Sequence, residues 1–241
     1  MDDARESLVF ALDIDTLDEA RDWAARLAGT LRWIKVGARL FTAEGPPVVA
    51  LLREAGFQVF LDLKVHDIPA QVRGACREGA RLGASLMTVH ASGGRAMLAA
   101  AAEGAAEGAL AAGLPPATVL AVTVLTSLDD AALKEVGFDR GPDAQVLRLA
   151  TLARDAGVGG VVCSPREVGA LRARLDRPFR LLTPGIRPAG AALDDQARVA
   201  TPATAIRDGA DFLVVGRPIR AAADPVAAAE GILGEMAAAG R

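Results

Sequence analysis

Phe60-Leu61-Asp62-Leu63-Lys64-Val65-His66-Asp67-Ile68-Pro69 carries the chain from a strand into a helix through a knot of charges. The apolar run Gln58–Leu63 reads as strand, and Pro69 opens a helical stretch that runs to Leu82. Period-two alternation places Asp62 and Lys64 on one side of that strand, with Leu61 and Leu63 on the other. Leucines suit a covering layer of helices, so the Asp and the Lys face inward. An isolated buried charge is costly, so these two should pair with each other or with a ligand.

The same strand-then-helix order recurs outward in both directions. Strands are expected at Leu8–Asp13, Leu31–Val36, Gln58–Leu63, Ser85–His90, Thr118–Leu125, Gly159–Cys163, Arg180–Thr183 and Phe212–Val215. Helices are expected at Thr16–Ala28, Pro46–Glu54, Pro69–Leu82, Ala96–Ala112, Asp143–Asp155, Pro165–Arg174, Thr201–Asp208 and Pro225–Ala239. Asp15-Thr16 and Ser164-Pro165 look like helix caps, and Gly56, Gly83, Gly113, Gly157 and Gly209 fall just past helices. Eight near-continuous apolar strands, each followed by a helix, predict a single-domain α/β chain over residues 1–241, folded as a (β/α)8 TIM barrel. An open doubly wound sheet lacks its signature, because no Gly-x-Gly-x-x-Gly turn follows the first strand.

Composition narrows the function classes. The 241 residues are 51% hydrophobic and 24% charged, with a net charge of −3 from 27 basic and 30 acidic residues. No basic run suggests nucleic acid, and no apolar run is long enough to span a bilayer. The charged start Met1-Asp2-Asp3-Ala4-Arg5-Glu6 is no signal peptide, so a cytoplasmic enzyme is expected. Cys76 and Cys163 fit no zinc spacing and read as buried reduced thiols. Only three basic residues are lysines, Lys35, Lys64 and Lys134, against an arginine-rich background.

In a barrel of this kind, chemistry belongs to the C-terminal ends of the strands. Asp13 ends the first strand, Lys35 the second, Asp62 and Lys64 the third, and His90 the fourth. After strands seven and eight come Thr183-Pro184-Gly185-Ile186-Arg187 and Val215-Gly216-Arg217-Pro218-Ile219. Glycine amides with an adjacent cation in those two loops predict a phosphate site. A structural ion cluster closing the barrel mouth is the alternative reading. The gathering of lysines and carboxylates on consecutive strand ends favours catalysis. His66 and His90 are open between ligand contact and a structural part.

Six segments in order now carry a family resemblance. They are Ala11-Leu12-Asp13, Ile34-Lys35-Val36-Gly37, Asp62 through Pro69, Val122-Thr123-Val124-Leu125-Thr126-Ser127, Thr183 through Arg187, and Val214 through Ile219. The chain resembles orotidine 5′-phosphate decarboxylases over essentially its whole length. That resemblance implies conversion of orotidine 5′-monophosphate to UMP and CO2, without metal or other cofactor, as the last step of de novo pyrimidine nucleotide synthesis. It implies Lys64 as proton donor, Asp62 beside the departing carboxylate, Lys35 holding Asp62 and the ribose, and Asp13 on the ribose. It implies a homodimer in which Asp67 enters the neighbouring site and completes a Lys–Asp–Lys–Asp array. Thr126 would lie near the pyrimidine, Gln196 would span base and phosphate, and Arg217, Gly216 and Arg187 would hold the phosphate. Related barrels with the same Asp-x-Lys-x-x-Asp signature act on sugar phosphates with magnesium, and a non-catalytic phosphate-binding barrel is a rival of another class.

Overall fold

The computed structural model describes residues 2–188 and 200–240. Eight parallel strands close into a barrel in sequence order: β1 Leu8–Leu12, β2 Trp33–Gly37, β3 Gln58–Val65, β4 Ala84–His90, β5 Thr118–Val122, β6 Gly160–Val162, β7 Arg180–Thr183 and β8 Phe212–Val215. Closure is made by β8 against β1, with Leu8 opposite Leu213 and Phe10 opposite Val215. The helices are α1 Asp2–Arg5, α2 Leu17–Leu27, α3 Ala38–Glu44, α4 Pro47–Glu54, α5 Pro69–Arg81, α6 Gly94–Ala111, α7 Asp130–Glu135, α8 Pro142–Asp155, α9 Val168–Arg172, α10 Pro202–Arg207, α11 Arg217–Arg220 and α12 Pro225–Ala239.

Strand alternation divides the core in two. Leu8, Phe10 and Leu12 of β1 join the large apolar shell under the helices, while Val9 and Ala11 join the barrel interior. Phe60, Leu86, Leu120, Leu182 and Phe212 fill that interior from other strands. In β3, Val59, Leu61, Leu63 and Val65 all face the shell, so the residues between them face the axis. The inward direction expected for Asp62 and Lys64 follows directly.

Local signals account for much of the outer layer. Thr16 caps α2 and forms a reciprocal capping box with Glu19, as its position suggests. The Ala/Gly-rich tract within α6 packs on α5 so closely that glycine is required twice. A Cβ on Gly104 would lie 2.2 Å from the Arg73 carbonyl oxygen, and one on Gly108 would lie 2.0 Å from that of Arg77. This seam fixes α5, whose first residue follows the Asp67 loop directly.

Several boundaries differ from the sequence expectation. β1 stops at Leu12, leaving Asp13 as the first loop residue, and β2 begins at Trp33 rather than Leu31. The run expected as strand to Leu125 ends at Val122, because its partner β6 ends at Val162 and offers no further ladder. Thr123 makes the last contacts, its N–H and its hydroxyl both donating to the Val162 carbonyl. Val124, Leu125 and Thr126 are therefore loop residues at the barrel mouth. Pro165 opens a short 3-10 turn ahead of α9 instead of one continuous helix, and α3, α7 and α11 are short helices in segments read as loops.

Candidate active site

Three neighbouring strands bring four charges into a chain at the C-terminal mouth. Lys35 Nζ, from β2, lies 3.3 Å from Asp13 Oδ1 and 3.5 Å from Asp62 Oδ2. Lys64 Nζ lies 2.8 Å from the same Asp62 Oδ2. Asp62 thus sits between two ammoniums, with both Lys35 and Asp62 buried and Lys64 half-buried. Gly37 permits this crowding, since a Cβ there would lie 3.2 Å from Lys35 Nζ.

Burial alone would raise the Asp62 carboxyl. The charges of Lys35 and Lys64, and hydrogen bonds from Lys64 and Thr88, outweigh it and hold the group below the usual carboxylate range. Asp62 is therefore anionic at neutral pH. The cluster combines a fixed negative charge with an ammonium that has N–H groups left to donate.

The end of β3 is irregular in a way that alternation does not show. Leu61 pairs with Met87 and Val65 with Val89, so Asp62, Leu63 and Lys64 face Thr88 alone across the ladder. Two extra residues bulge from β3 at that point. Lys64 itself adopts φ 51°, the only non-glycine residue with positive φ among the described residues. This left-handed backbone costs about 1–2 kcal/mol for an L-residue. It turns the lysine out of the strand direction and back toward Asp62.

Two cavities meet at Lys35, Asp62 and Lys64. One, of about 190 Å³, is walled mainly by apolar groups, including Phe60, Val124, Leu125 and Pro184, and by Thr126. The other, of about 360 Å³, is bordered by Asp13, Gly37 and Arg39. An apolar slot beside a polar one, with charges at their junction, suits a ligand that has a flat ring and a polyhydroxylated part.

The phosphate candidates lie on the loops expected. Gly216 follows β8 beside the end of β1, where its Cβ position is 3.3 Å from Ala11 Cβ and 3.7 Å from Asp13 Oδ2. Arg217 begins α11 and is half-buried. Arg187, after β7, is buried; one of its amino groups donates to the Ile186 carbonyl at 3.0 Å, while its Nε has no partner among the described residues. Neither arginine forms a wall of the two cavities. Gln196 lies outside the described residues.

Asp67 is not part of the charge chain within one molecule. It is exposed, accepts the Ile68 N–H at 2.6 Å, and is followed by Ile68 with 63% of its surface open. His66 and His90 stack with ring centroids 5.5 Å apart. Burial first, then the charges of His66 and Lys64, push His90 below its ordinary value. Thr88 is the residue that sequence reasoning missed: a threonine within a strand carries no signal of its own until the bulge opposite it is known.

With this geometry in place, the chain matches the Orotidine 5'-phosphate decarboxylase / HUMPS family over residues 6–232. It is similar to the orotidine 5'-phosphate decarboxylase of Syntrophotalea carbinolica, with 52% identity over 237 residues covering 98% of this chain and 97% of that one. The enzyme of the same name from Synechococcus sp. strain CC9605 is 53% identical over 235 residues, covering 97% of each chain. The crystal structure of orotidine 5'-phosphate decarboxylase from Lactobacillus acidophilus superposes with a TM-score of 0.86 at 39% identity, covering 96% of this chain and 99% of that one.

Proposed function

Because the chain belongs to the Orotidine 5'-phosphate decarboxylase / HUMPS family, we propose that it converts orotidine 5′-monophosphate to UMP and CO2 in pyrimidine nucleotide synthesis. The observation that carries this reading is the placement of Lys64 Nζ against the anionic Asp62 at the junction of an apolar and a polar cavity.

In this reading the pyrimidine enters the apolar slot near Thr126, and the ribose meets Asp13 and Lys35. The phosphate is held by Arg217, the Gly216 amide and Arg187, with Gln196 linking base and phosphate. The bond from the ring carbon to the carboxylate breaks, CO2 departs, and the electron pair stays on that carbon. The Lys64 ammonium stabilises the developing charge and delivers its proton there. Asp62 pairs with the ammonium and faces the departing carboxylate. Arginine could not substitute for Lys64, since it is bulkier and does not release a proton. The chemistry uses no metal or organic cofactor. Asp62 supports that part of the reading, as one of its oxygens meets two ammoniums and the other a hydroxyl.

We further propose a cytoplasmic homodimer with shared sites, in which Asp67 of one protomer completes the array of its partner. The exposure of Asp67 and Ile68 on one chain supports this. Among the described residues no helix is long and apolar enough to cross a membrane.

The deciding experiment follows the ultraviolet absorbance of orotidine 5′-monophosphate as it is consumed, with EDTA present throughout. Turnover undiminished by the chelator is expected. Magnesium-dependent turnover of a sugar phosphate instead would assign the chain to the other branch of its family. For the dimer, inactive D67N and K64A protomers are mixed, and recovery of some activity is the expected result. Confirmed heterodimers without activity would refute shared sites.

A further inference from the structure

The bulge in β3 leaves a single buried hydroxyl to serve both the carboxylate and the lysine of the site. Thr88, in the middle of β4, is 1% exposed. Its Oγ1 accepts the Lys64 backbone N–H at 3.0 Å and donates to Asp62 Oδ1 at 2.8 Å. The direction of both bonds is forced. A carboxylate only accepts and a backbone N–H only donates, so the one hydroxyl proton must go to Asp62.

The need for such a group follows from the ladder. Between the pairs Leu61–Met87 and Val65–Val89, three residues of β3 face one of β4. The Lys64 N–H has lost a regular strand partner there, and a buried amide without an acceptor is costly. At the same residue the backbone is held in the left-handed region, a conformation that persists only where its surroundings fix it. The Thr88 hydroxyl supplies that fixing point and ties it, through one oxygen atom, to the carboxylate that grips the Lys64 ammonium.

We infer that Thr88 is a positioning residue for the decarboxylation, setting the Lys64 ammonium and the Asp62 carboxylate in register through its side-chain hydroxyl. The inference rests on the reaction proposed above. Thr88 does not border either cavity. Its hydrogen bond is also one of the influences that lower the Asp62 carboxyl, although the two lysine charges outrank it.

The test compares T88V, which keeps the shape and removes the hydroxyl, with T88S, which keeps the hydroxyl and removes the methyl. Misplacing a catalytic group by about 1 Å can cost on the order of 10²-fold, so kcat of T88V should fall by about that factor. KM for orotidine 5′-monophosphate and the affinity for UMP should change little, as expected for an interaction felt in the transition state. The acid limb of the kcat–pH profile should move upward in T88V, and T88S should recover most of the lost rate and the original profile. Wild-type kcat in T88V would overturn the inference. So would a T88S variant as impaired as T88V, which would make packing of the methyl group the cause. If T88V fails to fold, T88A takes its place: a loss shared by T88A but not T88S supports the inference, and equal rates overturn it. Failure of the wild-type chain to consume orotidine 5′-monophosphate would sink the proposed reaction itself, a separate outcome.

Discussion

The barrel holds an ion cluster near each end, and the two are built to opposite specifications. At the lower end Asp211, just before β8, accepts from Arg172, from Arg177 at 3.2 Å, and from the Leu181 N–H at 2.7 Å. The remaining N–H groups used by Arg172 go to backbone carbonyls of Gly209, Leu175 and Phe179. That cation is held by four acceptors on two connections, those leading into β7 and β8, and only 14% of its side-chain surface is open. At the upper end Lys64 makes one ion pair, is 38% open, and faces two cavities. The lower cluster ties segments together, with four of the five Arg172 N–H groups bonded within the protein. The upper one keeps donors in reserve beside empty space. Cavity volume alone would mislead, since the space at the lower mouth, near Trp33 and Arg180, is larger at about 410 Å³.

This contrast yields a ranked set of expectations. The largest effect is on turnover: K64A should lower kcat by about 10³-fold or more while the folded protein and its affinity for UMP persist. A stopped ultraviolet assay with long incubation measures it, and residual activity within ten-fold of wild type would erase the distinction between the clusters. Next in size, R172A should remove about 3 kcal/mol of stability by leaving the largely covered, half-buried Asp211 without its main partner. Urea unfolding reads that loss, and kcat per folded molecule should stay within about two-fold of wild type. A third effect is the coupling between these changes. Sites this far apart should combine additively, so K64A/R172A should lose the sum of the two single-variant losses to within about 0.5 kcal/mol. A larger coupling would mean that the lower cluster also shapes the upper.

The smallest expectation concerns His90, beside the upper cluster. Its folded value lies below the ordinary 6.5, so the unfolded chain binds more protons between the two values. Stability should therefore rise with pH across that window, and decline as pH falls from about 6.5. Melting temperatures at pH 7.5 and 5.5 measure the slope, which should flatten in H90Q. An unchanged slope would remove His90 as its source.

The sequence made the barrel legible because burial on both faces leaves an apolar run for each strand and a helical period between runs. The facing of Asp62 and Lys64 was readable for the same reason, through the leucines beside them. What it could not show is the ladder. Two extra residues in β3, the early end of β5 and the role of Thr88 all depend on partner strands whose register no local pattern records. Lys64 illustrates the limit well. Its residue type pointed to chemistry, while its backbone conformation, the feature that aims it, contradicts what lysine prefers. Asp67 marks another boundary, because the proposed reach into a second molecule leaves no trace of its target in one chain.

The left-handed lysine also bears on how this protein could change under selection. Glycine at position 64 would rest in that backbone conformation without steric conflict, so the smoothest path to a hardier fold passes through loss of the amine. If Lys64 acts as proposed, durability and reactivity compete for the same peptide unit, and a demand for the product is what keeps the less comfortable residue in place.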